Sequence, residues 1–256
     1  MKLPFNLCQP GTASCGACCG LYSFKGHQRE LLRGQLARRS AIFTPLERSR
    51  TAFADAARTL RREEGSDQQR LDEASPLCAL LGFVDAAQTR IGCLGHARVT
   101  GGVDLRDCGT YSSATTCEEF SCPAVDAISP GEAELVRDAC ADWYLYGLVI
   151  TDVPFVRGCL KLIVAARGGP VPLERLRSPA ALSALRSLFA LKEELPGRPA
   201  APGVLGRAPP APHGPFASPE DELFPALGCQ DATREVQQAA RQLIRERVRA
   251  VAGGVS

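Results

Sequence analysis

Twelve cysteines lie in 256 residues, and eleven of them come before residue 160. Thiols this crowded end up in disulfides, on metal or in a core, and each fate demands a different fold. A secreted disulfide framework calls for a leader. Residues 1–8 offer only Lys2 and a few apolar side chains, too little for the hydrophobic stretch of a signal peptide. The expectation is a cytoplasmic chain with reduced thiols. Such thiols bind soft ions when they lie close in sequence, because the ion offsets the mutual repulsion of the thiolates. Zinc and iron are the candidates.

The densest group is Cys8, Cys15, Cys18 and Cys19. The Cys15-Gly16-Ala17-Cys18 spacing lets two thiolates chelate one ion from a tight turn that Gly16 makes accessible. Cys18 and Cys19 are adjacent and project in diverging directions, so more than one ion is compatible with the pattern. A second group, Cys78, Cys93, Cys117 and Cys122, comes from a stretch rich in Gly, Ser and Thr, with Cys108 between and undecided. Eight favoured thiols suffice for two tetrahedral zinc sites, or for one four-iron cluster with four thiols left over. The spacing leaves both open. Cys140, Cys159 and Cys229 stand in helical or isolated contexts and read as core residues. His96, three residues after Cys93, could join a chelate but reads as a hydrogen-bonded structural histidine, and His27 and His213 have less claim.

Composition narrows the rest. A 45% hydrophobic content supports a sizeable core, and a formal net charge of +2 demands neither nucleic acid nor an anionic membrane. The most apolar stretch, 145–166, is interrupted by Asp152, Arg157 and Lys161, so it reads as buried helix rather than a membrane span. Helices are expected at 28–39 and 45–62, the latter with Thr44 as cap, Pro45 in the first turn and Glu47 completing a capping box. Leu46, Phe53, Ala57 and Leu60 form its apolar stripe. Ser129, Pro130 and Glu132 start a helix running to about Val149; further helices are expected at 154–167 and 179–194, the second capped by Ser178. A last helix over 231–252 carries Val236, Ala240, Leu243, Ile244, Val248 and Val251 on one side, with Arg241, Arg245 and Arg249 forming a solvated face on the other. Eight prolines from Pro196 to Pro219 mark a connector. Residues 8–20 and 78–123 show little periodicity, so their order is expected to come from bound metal rather than a large apolar face. The fold class expected is therefore mainly α: a cysteine-rich, loop-rich, metal-stabilised N-terminal module over 1–124, then a helical region over 125–256 with the Pro-rich connector at 196–219.

The Cys15-Gly16-Ala17-Cys18-Cys19 core, the Gly92-Cys93 turn and the Cys117-x4-Cys122 pair ahead of Pro123 resemble the YkgJ-like cysteine-cluster family, whose members are described as zinc- or iron-chelating domains. The resemblance covers roughly residues 8–124. Carried over by position, it implies Cys15, Cys18 and Cys19 as ligands, then Cys78, Cys93, Cys117 and Cys122. Six residues separate Cys8 from Cys15, so Cys8 departs from the family's spacing. The family's relatives include proteins similar to flagellin lysine N-methylases, which would imply S-adenosylmethionine and a protein lysine as substrate. The sequence has no glycine-rich strand-to-helix turn, phosphate loop or HExxH that would locate such chemistry.

Two functions follow as expectations: a metal-stabilised binding or scaffold protein whose partner is another protein, or a cluster-dependent enzyme that modifies protein side chains. The nearest catalytic candidates, Asp104, Arg106 and Asp107 beside Gly101-Gly102, with Tyr111, read as surface turn formers. Trp143, Tyr144 and Tyr146 read as core.

Overall fold

The computed structural model describes residues 3–11, 13–24, 28–67, 77–109, 114–195 and 216–255. The fold is mainly α, with one two-stranded sheet among the described residues. The chain forms two compact units. One comprises Gly11–Cys122 with Asp142–Tyr144; the other comprises Met1–Pro10, Pro123–Ala141 and Leu145–Ser256.

The N-terminal unit begins with a loop that tightens into one 3-10 turn at Ala17–Cys19, closed by Gly20 at φ 87°. Helix α1 (Arg29–Phe43) buries Leu32, Leu36, Arg39 and Phe43, and α2 (Arg50–Asp67) buries Phe53, Ala57, Leu60 and Glu64. The start of α2 differs from expectation. Thr44 closes α1 instead, its N–H on the Ser40 carbonyl at 2.9 Å, and Ser49 is the cap of α2, its hydroxyl accepting from the Ala52 N–H at 3.3 Å. A serine whose hydroxyl meets a first-turn amide prevails over a Thr-Pro pair whose threonine still closes the preceding helix.

Strands β1 (Leu81–Phe83) and β2 (Ile91–Cys93) form an antiparallel hairpin in register Leu81↔Cys93, Gly82↔Gly92, Phe83↔Ile91. Leu94 N–H bonds to Leu80 O and Val84 N–H to Arg90 O, which turns the backbone polar groups of Leu81, Phe83 and Ile91 outward from the pair. They are met there. The Ser40 hydroxyl accepts from Phe83 N–H at 2.7 Å, and Ser14 accepts from Ile91 N–H at 2.9 Å. Short helices α3 (Ala97–Thr100) and α4 (Ala114–Glu119) follow.

The segment from 78 onward was expected to lack an apolar face, and here the structure corrects the sequence. Ala79, Leu80, Leu94 and Leu105 pack with Phe43, Phe53, Ala57 and Leu60 in one core. These apolar residues are spaced by hairpin and loop geometry, with no fixed period, which is why pattern reading passes over them. The chain returns to this unit at Asp142–Tyr144: Tyr22 OH donates to the Tyr144 carbonyl at 2.7 Å, and Arg29 pairs with Asp142 at 2.8 Å.

The C-terminal unit contains α5 (Pro123–Ala127), α6 (Pro130–Ala139), most of α7 (Trp143–Ile150), α8 (Val153–Arg167), α9 (Pro179–Phe189), α10 (Leu191–Glu194), α11 (Phe224–Leu227) and α12 (Arg234–Gly253). The Ser129–Glu132 capping box forms as expected. The helix it starts ends at Ala139 rather than near 149, because Asp142 caps a new one, accepting from Tyr144 N–H at 3.1 Å. Pro219 lies outside any connector: it opens a 3-10 turn, Pro219–Leu223, with Ser218 and Asp221 as its capping box. The remainder of the Pro-rich stretch up to 215 lies outside the described residues. The apolar face of α12 packs along α9 and α8. Of the three arginines expected to be solvated, Arg241 pairs with Asp221 at 2.6 Å and Arg245 with Glu220 at 2.8 Å, while Arg249 is exposed. Deep in the unit Lys192 meets Asp152 at 2.6 Å, each side chain 2% exposed, and also reaches the Ala226 carbonyl. Among the described residues no helix is long and apolar enough to cross a membrane.

The close approach of α1 to the hairpin yields a test. A Cβ on Gly82 would stand 2.6 Å from Leu94 Cδ1 and 2.8 Å from Ser40 Oγ. Gly82→Ala should therefore destabilise the protein by about 1–3 kcal/mol, as overpacking does, which denaturant melts would read as a lower midpoint.

Candidate metal centre

None of the twelve cysteines is in a disulfide. Eight of them belong to the N-terminal unit, and the hairpin organises several. Cys78 lies three residues before β1 begins and Cys93 ends β2. The Cys78 N–H donates to the Cys19 carbonyl at 3.0 Å, so the first cysteine loop and the second are tied through their backbones. Gly16 permits this approach: a Cβ there would sit 2.9 Å from both Ile91 Cδ1 and Leu81 Cδ2. Gly109 does the same for the Cys78 thiol, whose sulfur would lie 3.0 Å from an added Cβ.

The Cys93 thiol feels those of Cys78 and Cys117. Burial pushes the Cys93 thiol up to about 12, Cys78 and, more weakly, Cys117 push the same way, and a Gly95 backbone N–H and Arg106 oppose them. The Cys117 thiol, on the exposed face of α4, is also raised by burial and lowered by Arg106. Arg106 in turn is held by Asp104 at 2.5 Å and by Glu118. A buried thiol with other thiols beside it resists ionisation until a cation arrives, and a soft divalent ion is the cation that such a donor set suits.

The other expected ligands are placed as follows. Cys15 Sγ accepts from Ala17 N–H at 3.5 Å and raises the buried Tyr22 hydroxyl, second to burial itself. Cys18 and Cys19 are half-buried in the 3-10 turn, and Cys122 is half-buried ahead of α5. Cys8 belongs with the C-terminal unit, its N–H on Asn6 Oδ1 at 2.8 Å. Among the described residues no three His, Cys, Asp or Glu side chains are grouped as a ready-made centre. The donor chemistry fits zinc or iron; the present arrangement would have to draw the thiols together to hold either.

Cys108 is buried, with its S–H directed at the Arg50 carbonyl at 3.6 Å. Cys140, Cys159 and Cys229 are core residues. His96 is structural, as read: its Nδ1 accepts from Arg98 N–H at 3.1 Å and caps α3. His27, His213 and Tyr111 lie outside the described residues. Asp104 pairs with Arg106, and Asp107 with Arg50. Trp143, Tyr144 and Tyr146 are buried. A cleft of about 470 Å³ runs along α1 and the hairpin. Its charged groups are already engaged: Arg48 on the Phe43 and Thr44 carbonyls, Asp85 on Thr89 and Arg90.

Sequence reading missed the two groups that brace Cys78. Arg39 Nη1 donates to the carbonyls of Cys78 (3.2 Å) and Leu81 (3.3 Å), while Glu64 takes its Nε (2.9 Å) and Nη2 (2.6 Å). The signal was present: Arg39 follows Leu32 and Leu36, and Glu64 follows Phe53, Ala57 and Leu60, so each charge stands on an apolar stripe.

Neither a protein-family model, nor a curated protein, nor a solved structure matches this chain.

Two outcomes are expected. In metal-free protein at pH 8, Cys93 and the core thiols Cys140, Cys159 and Cys229 should be alkylated by iodoacetamide more slowly than exposed Cys117, as peptide mass spectrometry would show. Asp104 is held down to about 2, chiefly by its hydrogen bond from Arg106. Because its folded value is depressed from 3.8, the stabilisation it brings is complete above about pH 4 and lost as pH falls through about 2. The carboxylate is partly exposed and solvent weakens the pair. Asp104→Asn should thus leave acid unfolding below pH 2 unchanged while slightly lowering stability at pH 6.

Proposed function

We propose that this chain is a metal-binding cysteine-cluster protein, taking zinc or an iron–sulfur cluster on thiolates of its N-terminal unit and serving as a binding or scaffold protein for another protein. The resemblance to YkgJ-like cysteine-cluster proteins belongs to the same proposal. The observation that carries it is the backbone bond that joins Cys78 to Cys19, with the Cys78 and Cys117 thiols near enough to Cys93 to raise it. Burial and the Cys78 and Cys117 thiols all disfavour a thiolate at Cys93, and a soft cation would offset the repulsion that ionised sulfurs feel at such a spot. Cys15, Cys18, Cys19 and Cys122 extend the ligand set, and uptake gathers them. The N-terminal unit has an apolar core, so the metal acts as a staple across loops that are already anchored. A structural role as a docking scaffold suits this arrangement, in which the donors come from short elements and turns braced by α1 and α2.

The test is elemental analysis of anaerobically purified protein, with its visible spectrum. At least one equivalent of zinc or iron is expected, with colourless protein for zinc and a broad blue-visible absorbance for iron–sulfur. Cys78→Ser and Cys93→Ser should each lower bound metal per chain, and Cys229→Ser should not. Protein holding no zinc or iron, and taking up none when supplied, would end the proposal.

A further inference from the structure

We propose that Arg39, locked by Glu64, is a positioning residue for Cys78, setting where its thiol stands before any ion arrives. This deepens the metal-binding reading and rests on it for its purpose, though not for its geometry.

The two side chains are 2% and 5% exposed. A buried guanidinium is costly unless every donor finds a partner, and here the fork of Arg39 divides its work. Two nitrogens, Nε and Nη2, hold the Glu64 carboxylate in a bidentate pair. The third, Nη1, bridges the carbonyls of Cys78 and Leu81. Cys78 therefore has its carbonyl fixed by α1 and its N–H fixed by Cys19. With both ends of one residue held, its side chain has little freedom beyond χ1. A second arginine fixes the wall against which the thiol rests: Arg61 of α2 donates to the Gly109 carbonyl at 3.0 Å, and Gly109 is where an added Cβ would meet the Cys78 sulfur. Nothing in helix stability requires Arg39 at that position. A leucine would continue the stripe of Leu32 and Leu36. The charge is explained by the carbonyls it reaches, and Glu64 by the charge.

Outer partners that orient a ligand commonly govern metal affinity by about 10–100-fold. The single change Arg39→Met strands a buried carboxylate and is expected to unfold the unit, so the decisive variant is the pair Arg39→Met with Glu64→Leu, which removes both charges together. Two readouts apply to that folded double variant. The first needs no metal: iodoacetamide should modify Cys78 at least about tenfold faster than in the wild type, with Cys159 unchanged as internal control, because a loosened backbone lets the thiol reach solvent. The second is cobalt(II) titration, followed by thiolate-to-cobalt absorbance, where affinity should fall about 10–100-fold. Arg39→Lys keeps the charge without the fork and should fall between. A folded double variant whose Cys78 is alkylated at the wild-type rate would overturn the positioning role. Wild-type protein that takes up no cobalt would overturn the metal-binding reading instead, leaving the alkylation rates to decide the role of Arg39.

Discussion

The N-terminal unit depends on a charge pair placed where apolar side chains would be expected. Arg39 and Glu64 join α1 to α2, and Arg39 joins both to the start of the hairpin. Burying two ions gives up several kcal/mol of hydration each, recovered only when geometry and hydrogen bonding are complete. That condition is restrictive, and the restriction is informative: α1, α2 and the Cys78 segment can satisfy it in one mutual arrangement. Apolar contacts alone would tolerate several. The core of Phe43, Phe53, Leu80 and Leu105 supplies cohesion, and the ion pair supplies registry.

The C-terminal unit repeats the device with different chemistry. Lys192 and Asp152 are buried together, Asp152 also caps α8 by accepting from Phe155 N–H at 3.1 Å, and Lys192 reaches the Ala226 carbonyl. One pair thus fixes a helix start, α10 and α11. The arginines of α12 do similar work nearer the surface, holding the 3-10 turn at Pro219–Leu223 through Asp221 and Glu220. In both units loops are anchored by charged groups projecting from helices, which suits a chain whose connections are rich in glycine and proline.

The helices were legible where caps and stripes agreed. Ser129 with Glu132, Ser178 and the long face of α12 fall where their patterns put them. The reading failed where one local signal outvoted a better one nearby. Thr44-Pro45 concealed Ser49, and the Ser129-Pro130 start, extended to about Val149, passed over the break at Cys140, beyond which Asp142 caps a new helix. The hairpin was illegible because its strands are three residues each, with glycine in both, and offer no alternation to count. Its serine, arginine and glycine contacts come from residues distant in sequence. The cysteine groups were plain in the sequence, as were the core positions of Cys140, Cys159 and Cys229. Their mutual disposition was not, because it is set by Cys78 and Cys93 flanking a hairpin that the pattern did not reveal.

The two serines beside the hairpin bear on how this chain keeps company. Ser40 and Ser14 occupy the outward amides of Phe83 and Ile91, so the sheet presents no open row of donors along which a third strand could zip. Neighbouring copies are denied the easiest route to stacking, which matters for a protein whose reduced thiols could weld such stacks together by oxidation. A third strand would first have to displace both hydroxyls from the amides they hold.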